Sequence, residues 1–196
     1  MGETLTKLSG IDLATVLGRA RLAPEAQAPL AGCAGIGEAI DRLETAGLAA
    51  EAARVLALAL PQRECVWWSC VCATHTAPPD LADDDRQARE MAELWVRQQK
   101  DEPRRAAFAH AEKAGFQTPE AWAAAAAFWS GDSIAPIGQP AIPPGPELTG
   151  TAAAGSIALS AVRGDFSRQA ARLKRFLESG RNIASGGAGR IPPEQP

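Results

Sequence analysis

The sequence predicts an all-α fold: a single-domain bundle of about seven helices, arranged as consecutive αα-hairpins around a central apolar helix. Alanine is abundant, tyrosine is absent and aromatic residues make up only 5%, a composition that favours helix over strand. Apolar residues also recur at helical spacing along most of the chain. The 196 residues, 46% of them hydrophobic, are enough for one domain with a sizeable core.

The segment LALALPQRECVWWSCVCA, residues 56–73, predicts the centre of the bundle. Pro61 ends one apolar helix and starts the next, which is apolar on nearly every side as far as Thr74. A helix that is apolar all round lies under other helices in a folded protein. We therefore expect the segment around Trp67 and Trp68 to be excluded from water.

The elements before the centre are an arm and two helices. Residues 1–34 carry a modest apolar pattern interrupted by Pro, Ala and Gly, which predicts a loosely ordered N-terminal arm. The helical domain is expected over residues 35–181. Its first helix ends at Gly47, where a glycine in the left-handed conformation is the usual stop, and its second runs from Leu48 to Pro61.

Further helices are predicted over residues 80–100, 103–115, 118–131, 149–162 and 166–179. The best-marked start is Thr118-Pro119-Glu120, with a hydroxyl N-cap, a proline at the first helical position and a carboxylate near the positive end of the helix dipole. Residues 132–148 hold five prolines and two glycines, so they predict a proline-rich loop, and the isoleucines among them argue that it lies against the body. Residues 182–196 are rich in Gly and Pro and predict a disordered tail.

Charge and hydropathy exclude several function classes. The net charge of −3 provides no basic field for nucleic acid, so no nucleic-acid partner is expected. No apolar run approaches the ~20 residues that span a bilayer, and the N-terminus lacks the apolar region of a signal peptide. Four cysteines without a pairing pattern suit a reducing compartment. We expect a cytoplasmic protein with no membrane span and no cofactor.

The cysteine-rich central helix raises a metal or thiol alternative. Cys65, Cys72 and His75 share one helix face at about 100° per residue. A structural zinc site needs four converging ligands, and no turn here brings a fourth. Buried free cysteine usually packs as a small hydrophobe. No metal site is therefore predicted, and no nucleophile motif predicts a catalytic residue.

Candidate partner-binding residues lie in two places. Aromatic and proline side chains after Phe128 offer rigid apolar area at low entropic cost. The candidates there are Trp129, Ile134, Pro136 and Ile137. On the last helix a row of arginines shares a face at i, i+4 and i+7. Such a row can dock an acidic partner or phosphates, or it can be the solvent-exposed face of an amphipathic helix. These are Arg168, Arg172 and Arg175.

Two strings are more specific than composition: LPQRECVWWSCVCA at residues 60–73 and AGFQTPEAWAAAAAFWSGDSIAPIGQPAIPP at residues 114–144. Together they resemble an uncharacterised bacterial family of small, alanine-rich, all-helical proteins. Its members have an acidic residue before a Trp-Trp pair, and a Phe-Trp-Ser-Gly motif that leads into a proline loop. The resemblance covers about residues 36–183. Genes of that family lie beside type VI secretion spike and effector genes, which implies an adaptor, chaperone or accessory role.

The leading functional hypothesis is thus a non-enzymatic protein-binding adaptor or chaperone. Its partner would be another protein, which the resemblance suggests is a secreted effector or spike component. The resemblance attaches no catalytic residue. The alternatives are a small metal- or thiol-dependent enzyme that uses the cysteine/histidine helix, or a purely structural subunit. The sequence leaves the oligomeric state open.

Overall fold

A computed structural model describes residues 5–195, which form ten α-helices, three short 3-10 helices and no strand. The α-helices are α1 (Leu13–Ala20), α2 (Pro24–Gln27), α3 (Ile36–Thr45), α4 (Ala49–Ala59), α5 (Gln62–His75), α6 (Asp83–Gln98), α7 (Asp101–Lys113), α8 (Pro119–Trp129), α9 (Leu148–Val162) and α10 (Gln169–Ala184). The all-helical class is confirmed, whereas the predicted number of about seven helices is wrong. None of the helices in the described residues has the length and apolar character needed to cross a membrane.

The additional helices, α1 and α2, lie in the segment predicted as a loosely ordered arm. The carboxylate of Asp12 caps α1 by accepting the backbone N–H of Thr15 at 2.8 Å. Helix α1 contacts α4, and Val16 and Ala20 are buried against the common core. The apolar pattern of this segment is short, but it is enough to bury one face of a two-turn helix.

Three helices share the centre of the bundle. Nine of the fourteen residues of α5 are buried, and α5 contacts α6, α8, α9 and α10. Helices α8 and α9 are enclosed to a similar degree and pack against each other as well as against α5. The predicted central helix therefore lies in the core, but it shares that position with two alanine-rich helices. Trp68 is fully buried, whereas Trp67 is half-buried.

Trp68 sets the spacing between α5 and α10. Its indole N–H donates to the carbonyl of Phe176 at 2.9 Å. A Cβ at Gly180, one turn further along α10, would lie 2.7 Å from the indole ring. Only glycine therefore lets α10 approach this tryptophan so closely.

Local signals set several helix ends. Gly47 has φ +77°, so the predicted left-handed stop between α3 and α4 is confirmed. The Thr118 side chain accepts the backbone N–H of Ala121 at 3.3 Å, and Pro119 is the first residue of α8, as predicted. The Thr118 hydroxyl also donates to the buried carboxylate of Asp85. This bond links the N-termini of α6 and α8.

The C-terminal residues follow the surface of α5 and α10. Helix α10 extends past the predicted domain boundary at residue 181, and residues 185–195 form an irregular segment after it. The backbone N–H of Glu194 donates to the carbonyl of His75 at 2.7 Å. The segment predicted as a disordered tail thus makes defined contacts with the body, because donors and acceptors at the end of α5 reach its backbone.

Candidate functional site

The proline loop, residues 132–148, is anchored at its base by Arg104 of α7. Arg104 is only 2% exposed. Its guanidinium donates to the carbonyl of Phe128 at the end of α8 and to the carbonyl of Ser133, the latter at 2.8 Å. Asp101, one turn earlier, accepts from Arg104 Nε at 2.8 Å and balances its charge. These bonds tie the start of the loop to α7.

Gly131 makes this close approach possible. A Cβ at this position would lie 2.3 Å from Arg104 Nε. The guanidinium carbon also lies 5.0 Å from the centroid of the Phe128 ring, and that ring stacks on Phe108 at 4.1 Å. The Phe-Trp-Ser-Gly string therefore has a physical explanation: its first residue supports the arginine and its last residue leaves room for it.

A second set of bonds closes the loop above its base. The backbone N–H of Ile134 donates to the carbonyl of Ile142 at 2.8 Å. The Ser133 hydroxyl accepts the backbone N–H groups of Ala135 at 3.1 Å and Ile142 at 3.0 Å. These bonds join the two ends of the loop into a stem, from which the residues between 134 and 142 project.

The tip of the loop is a β-turn. The backbone N–H of Gln139 donates to the carbonyl of Pro136 at 3.1 Å, and Gly138 has φ +85°. This is the pattern of a type II turn, in which the third residue needs a positive φ. Ile137, the second residue, is 84% exposed, the largest exposure of a large hydrophobic side chain in the described part of the chain.

The structure places the four predicted loop residues differently. Ile137 and Pro136 are exposed at the tip, whereas Ile134 is half-buried in the stem. Trp129 is half-buried against the core at the end of α8. The exposed apolar surface of the loop tip is therefore centred on Ile137.

Two residues of the predicted arginine row, Arg168 and Arg172, are bonded within the chain. Arg172 is only 6% exposed and donates to the Glu194 carboxylate and to the carbonyl of Ala161 at 3.1 Å. Arg168 is half-buried and donates to the carbonyl of Gln195 at 3.0 Å. Arg175 is exposed. The row thus faces the C-terminal segment.

The cysteine/histidine face of α5 is buried. Cys65 donates its S–H to the carbonyl of Ala57 at 3.1 Å, and burial raises the pKa of its thiol to about 12. Burial also raises the pKa of Cys72 well above the usual range. His75 is 1% exposed, with Nδ1 bonded to the carbonyl of Pro192. Within residues 5–195 no group of three His, Cys, Asp or Glu side chains is placed to hold a metal ion.

Sequence reasoning missed two buried charged side chains, Glu120 and Arg104, that hold this architecture together. Glu120 is fully buried and pairs with Arg163, whose Nη1 donates to it at 2.9 Å. Arg104 and the acceptor carbonyl of Phe128 are 24 residues apart, and Glu120 and Arg163 are 43 apart. No local signal marks such pairs, because each partner lies in a different helix or loop.

Comparison with known proteins identifies a family. Residues 39–184 match the model of a family of unknown function, DUF6931. The match runs from within α3 to the last residue of α10, so it includes the proline loop and excludes the C-terminal segment. The comparisons with curated proteins and with solved structures gave no match. The chain belongs to DUF6931, a family of unknown function.

Proposed function

We propose that this protein is a non-enzymatic protein-binding adaptor or chaperone that captures its partner with the tip of the proline loop, residues 136–139. The observation that carries the proposal is the 84% exposure of Ile137 on a loop whose stem is clamped by buried Arg104. Full burial of such a side chain in a partner contributes about 1.5–3 kcal/mol. An isoleucine left in water on a fixed support is therefore a candidate hot spot.

The rigidity of the stem strengthens this argument. Binding by a flexible loop costs the entropy of ordering it, at about 0.5–1.5 kcal/mol for each side chain that becomes fixed. Here the bonds of Ser133 and Ile134 across the stem already fix the loop in the free protein. The prolines at 136 and 140 restrict its backbone further. Because little entropy is lost in ordering the loop, more of the free energy from burying Ile137 contributes to the binding affinity.

The shape of the tip favours a protein partner. Small-molecule sites are concave and enclose most of the ligand. The turn at residues 136–139 projects from its stem with its isoleucine exposed, so it can enter a pocket but cannot form one by itself. A partner with an apolar pocket fits this geometry.

The finer part of the proposal is an accessory role in bacterial type VI secretion, with a secreted effector or spike component as the partner. It is supported by the sequences at residues 60–73 and 114–144, which resemble the bacterial family whose genes lie beside type VI secretion genes. The thiol-enzyme alternative is disfavoured because the raised pKa of Cys65 leaves almost no thiolate near neutral pH. A structural subunit would use the same tip for a permanent contact.

The test compares two charge substitutions. Ile137→Asp places a carboxylate at the tip, and Ile11→Asp, at an isoleucine 42% exposed before α1, is the matched control. Wild-type chain and both variants, with matching circular dichroism spectra, are used as bait in the producing cell. Proteins captured by wild type and by Ile11→Asp but lost with Ile137→Asp are then purified, and their Kd values are measured by calorimetry.

We expect Ile137→Asp to weaken the Kd of such a partner by about tenfold or more, because the substitution leaves a charge in an apolar pocket. Ile11→Asp should leave the Kd unchanged. Equal binding by the two variants would remove the basis for the proposed surface. A partner that never dissociates during purification would favour the structural subunit over the adaptor.

A further inference from the structure

Side chains of the protein body hold the backbone of its own C-terminal segment, residues 188–195, at several points along its length. Four carbonyls of the segment are contacted in this way: Ala188 by the Trp67 indole, Gly189 by the Ser179 hydroxyl, Pro192 by His75 Nδ1 and Gln195 by Arg168. The indole bond measures 2.7 Å and the Arg168 bond 3.0 Å. Bonds to backbone carbonyls place few demands on the side chains of the bound segment, which is how many peptide-binding grooves work.

One side chain of the segment is recognised by charge. Arg172 donates to the Glu194 carboxylate from Nη2 at 2.5 Å and from Nε at 3.1 Å. Arg168 Nη1 lies 3.5 Å from the same carboxylate. Donation from Arg172 lowers the pKa of Glu194 below its ordinary value. A forked bond of this kind selects a carboxylate by geometry as well as by charge.

The segment leaves part of this site unused. A cavity of about 320 Å³ lies beside it, lined by His75, Arg168, Arg172 and Arg175 together with Glu194. Arg168 forms ion pairs with Asp165 and Glu194, and Arg172 forms one with Glu194. Among the described residues no carboxylate pairs with Arg175. Arg175 therefore gives the cavity a donor that the single glutamate does not use.

We propose that the groove between α5 and α10 is a docking site for an extended, proline-containing acidic segment of a partner protein, and that residues 188–195 occupy it when the partner is absent. The string Ile191-Pro192-Pro193-Glu194 shows the chemistry that fits: an extended backbone followed by a carboxylate. A segment with a second acidic residue would also reach Arg175. This surface is separate from the proline loop, so the two proposals can fail independently.

The internal segment acts as a competitor in this scheme. An external segment binds only the fraction of molecules in which residues 188–195 are displaced, so its apparent Kd rises in proportion. Weakening the internal segment should therefore tighten external binding, which a purely structural tail would not do.

The test uses the full chain and a fluorescent peptide of sequence GAGRIPPEQ, residues 187–195. Glu194→Arg places a cation against Arg168 and Arg172 and should displace the internal segment. Glu178→Arg, at an exposed glutamate of α10, is the matched control. Fluorescence anisotropy gives the Kd of the peptide for the three chains, and circular dichroism reports their folding.

We expect the Glu194→Arg chain to bind the peptide at least about tenfold more tightly than wild type or Glu178→Arg. Changing the peptide glutamate to glutamine should weaken that binding by at least about tenfold, and a peptide ending in Glu-Glu should bind more tightly. Equal affinity of the three chains for the peptide, or no effect of the peptide glutamate, would overturn the proposal.

A measurement on the wild-type chain covers the case in which Glu194→Arg fails to fold. Excess peptide should increase hydrogen exchange in residues 191–195, and unchanged exchange at saturating peptide would count against the proposal. A two-chain mass by light scattering, with tails exchanged between copies, would assign the groove to a second copy of this chain and likewise overturn it.

Discussion

Arg104 and Ser133, 29 residues apart, are joined by a 2.8 Å hydrogen bond from the guanidinium to the backbone carbonyl. This bond links α7 to the first residues of the proline loop. Because Arg104 is only 2% exposed, its position is set by core packing and not by solvent. The orientation of the exposed tip thus depends on a contact in the interior.

Substitution of Gly131 tests this clamp. In Gly131→Ala the added Cβ would lie 2.3 Å from Arg104 Nε, so the arginine must move away from the loop carbonyl. We expect a loss of about 1–3 kcal/mol in the free energy of unfolding, measured in urea. Hydrogen exchange over residues 132–142 should rise as well. Wild-type stability and exchange would show that the clamp does not hold the loop.

A pair of glycine substitutions tests the packing of the core. Gly180→Ala brings a Cβ within 2.7 Å of the Trp68 ring, and we expect it to destabilise the fold by about 1–3 kcal/mol. Gly18→Ala, in α1 with no atom within 4 Å of the new Cβ, should instead stabilise it by about 0.5–1 kcal/mol. Denaturant unfolding of both variants measures the contrast. Equal effects would contradict the close contact between α5 and α10.

Thiol labelling tests the state of the central helix. Cys65, Cys70 and Cys72 are buried, and Cys33 is partly exposed. Since burial raises the pKa of the Cys65 thiol to about 12, it should stay protonated near neutral pH and react only after unfolding. We expect an alkylating reagent to modify Cys33 alone in the native protein and all four cysteines in denaturant. Native Cys33→Ser should then show no labelling. Rapid labelling of Cys65 in the native protein would instead support the thiol-dependent enzyme.

The contact of Glu194 with Arg172 predicts a response to acid. The arginine bond holds the pKa of Glu194 below its ordinary 4.5, so the carboxylate stabilises the docked segment fully above that value. The stabilisation is lost as the pH falls through the lowered pKa, because protonation removes the charge that Arg172 and Arg168 face. Asp165, which also faces these arginines, has a lowered pKa owing to its bonds with Ser167 and titrates in the same acid range.

The Trp67 indole N–H, bonded to Ala188, reports on release of the segment by NMR. Its chemical shift should change as the pH falls from about 6 to about 3, whereas the indole N–H of Trp68, bonded inside the core, should not shift over the same range. Glu194→Gln should remove most of the dependence and leave only the part due to Asp165. An unchanged pH profile in that variant would show that Glu194 does not hold the segment.

Interactions between residues that are close in sequence could be predicted from the sequence. The cap at Thr118 and the stop at Gly47 depend on groups three or four positions away, so the local string specifies them. The burial of Trp68 followed from the apolar surroundings of its helix. The short α1 was missed because its apolar stripe is brief, and its burial depends on α4.

The long-range charge pairs could not be predicted in this way. Periodicity places Arg172 on a helix face, but the same pattern fits a solvated arginine and one buried against Glu194, 22 residues away. The same holds for Glu120, which the sequence marks as a first-turn carboxylate and which the fold buries against Arg163. The candidate loop was found because proline and isoleucine content is a local property, whereas its anchor at Arg104 is not.

The proposed function depends most on the exposed tip of the proline loop being the contact with a partner. The most direct measurement places a photoreactive amino acid at position 137 of the chain in the producing cell, with position 11 as control, and identifies the cross-linked proteins by mass spectrometry. We expect a discrete protein adduct from position 137 that position 11 does not give. Absence of any adduct from position 137, or the same adducts from both positions, would contradict it.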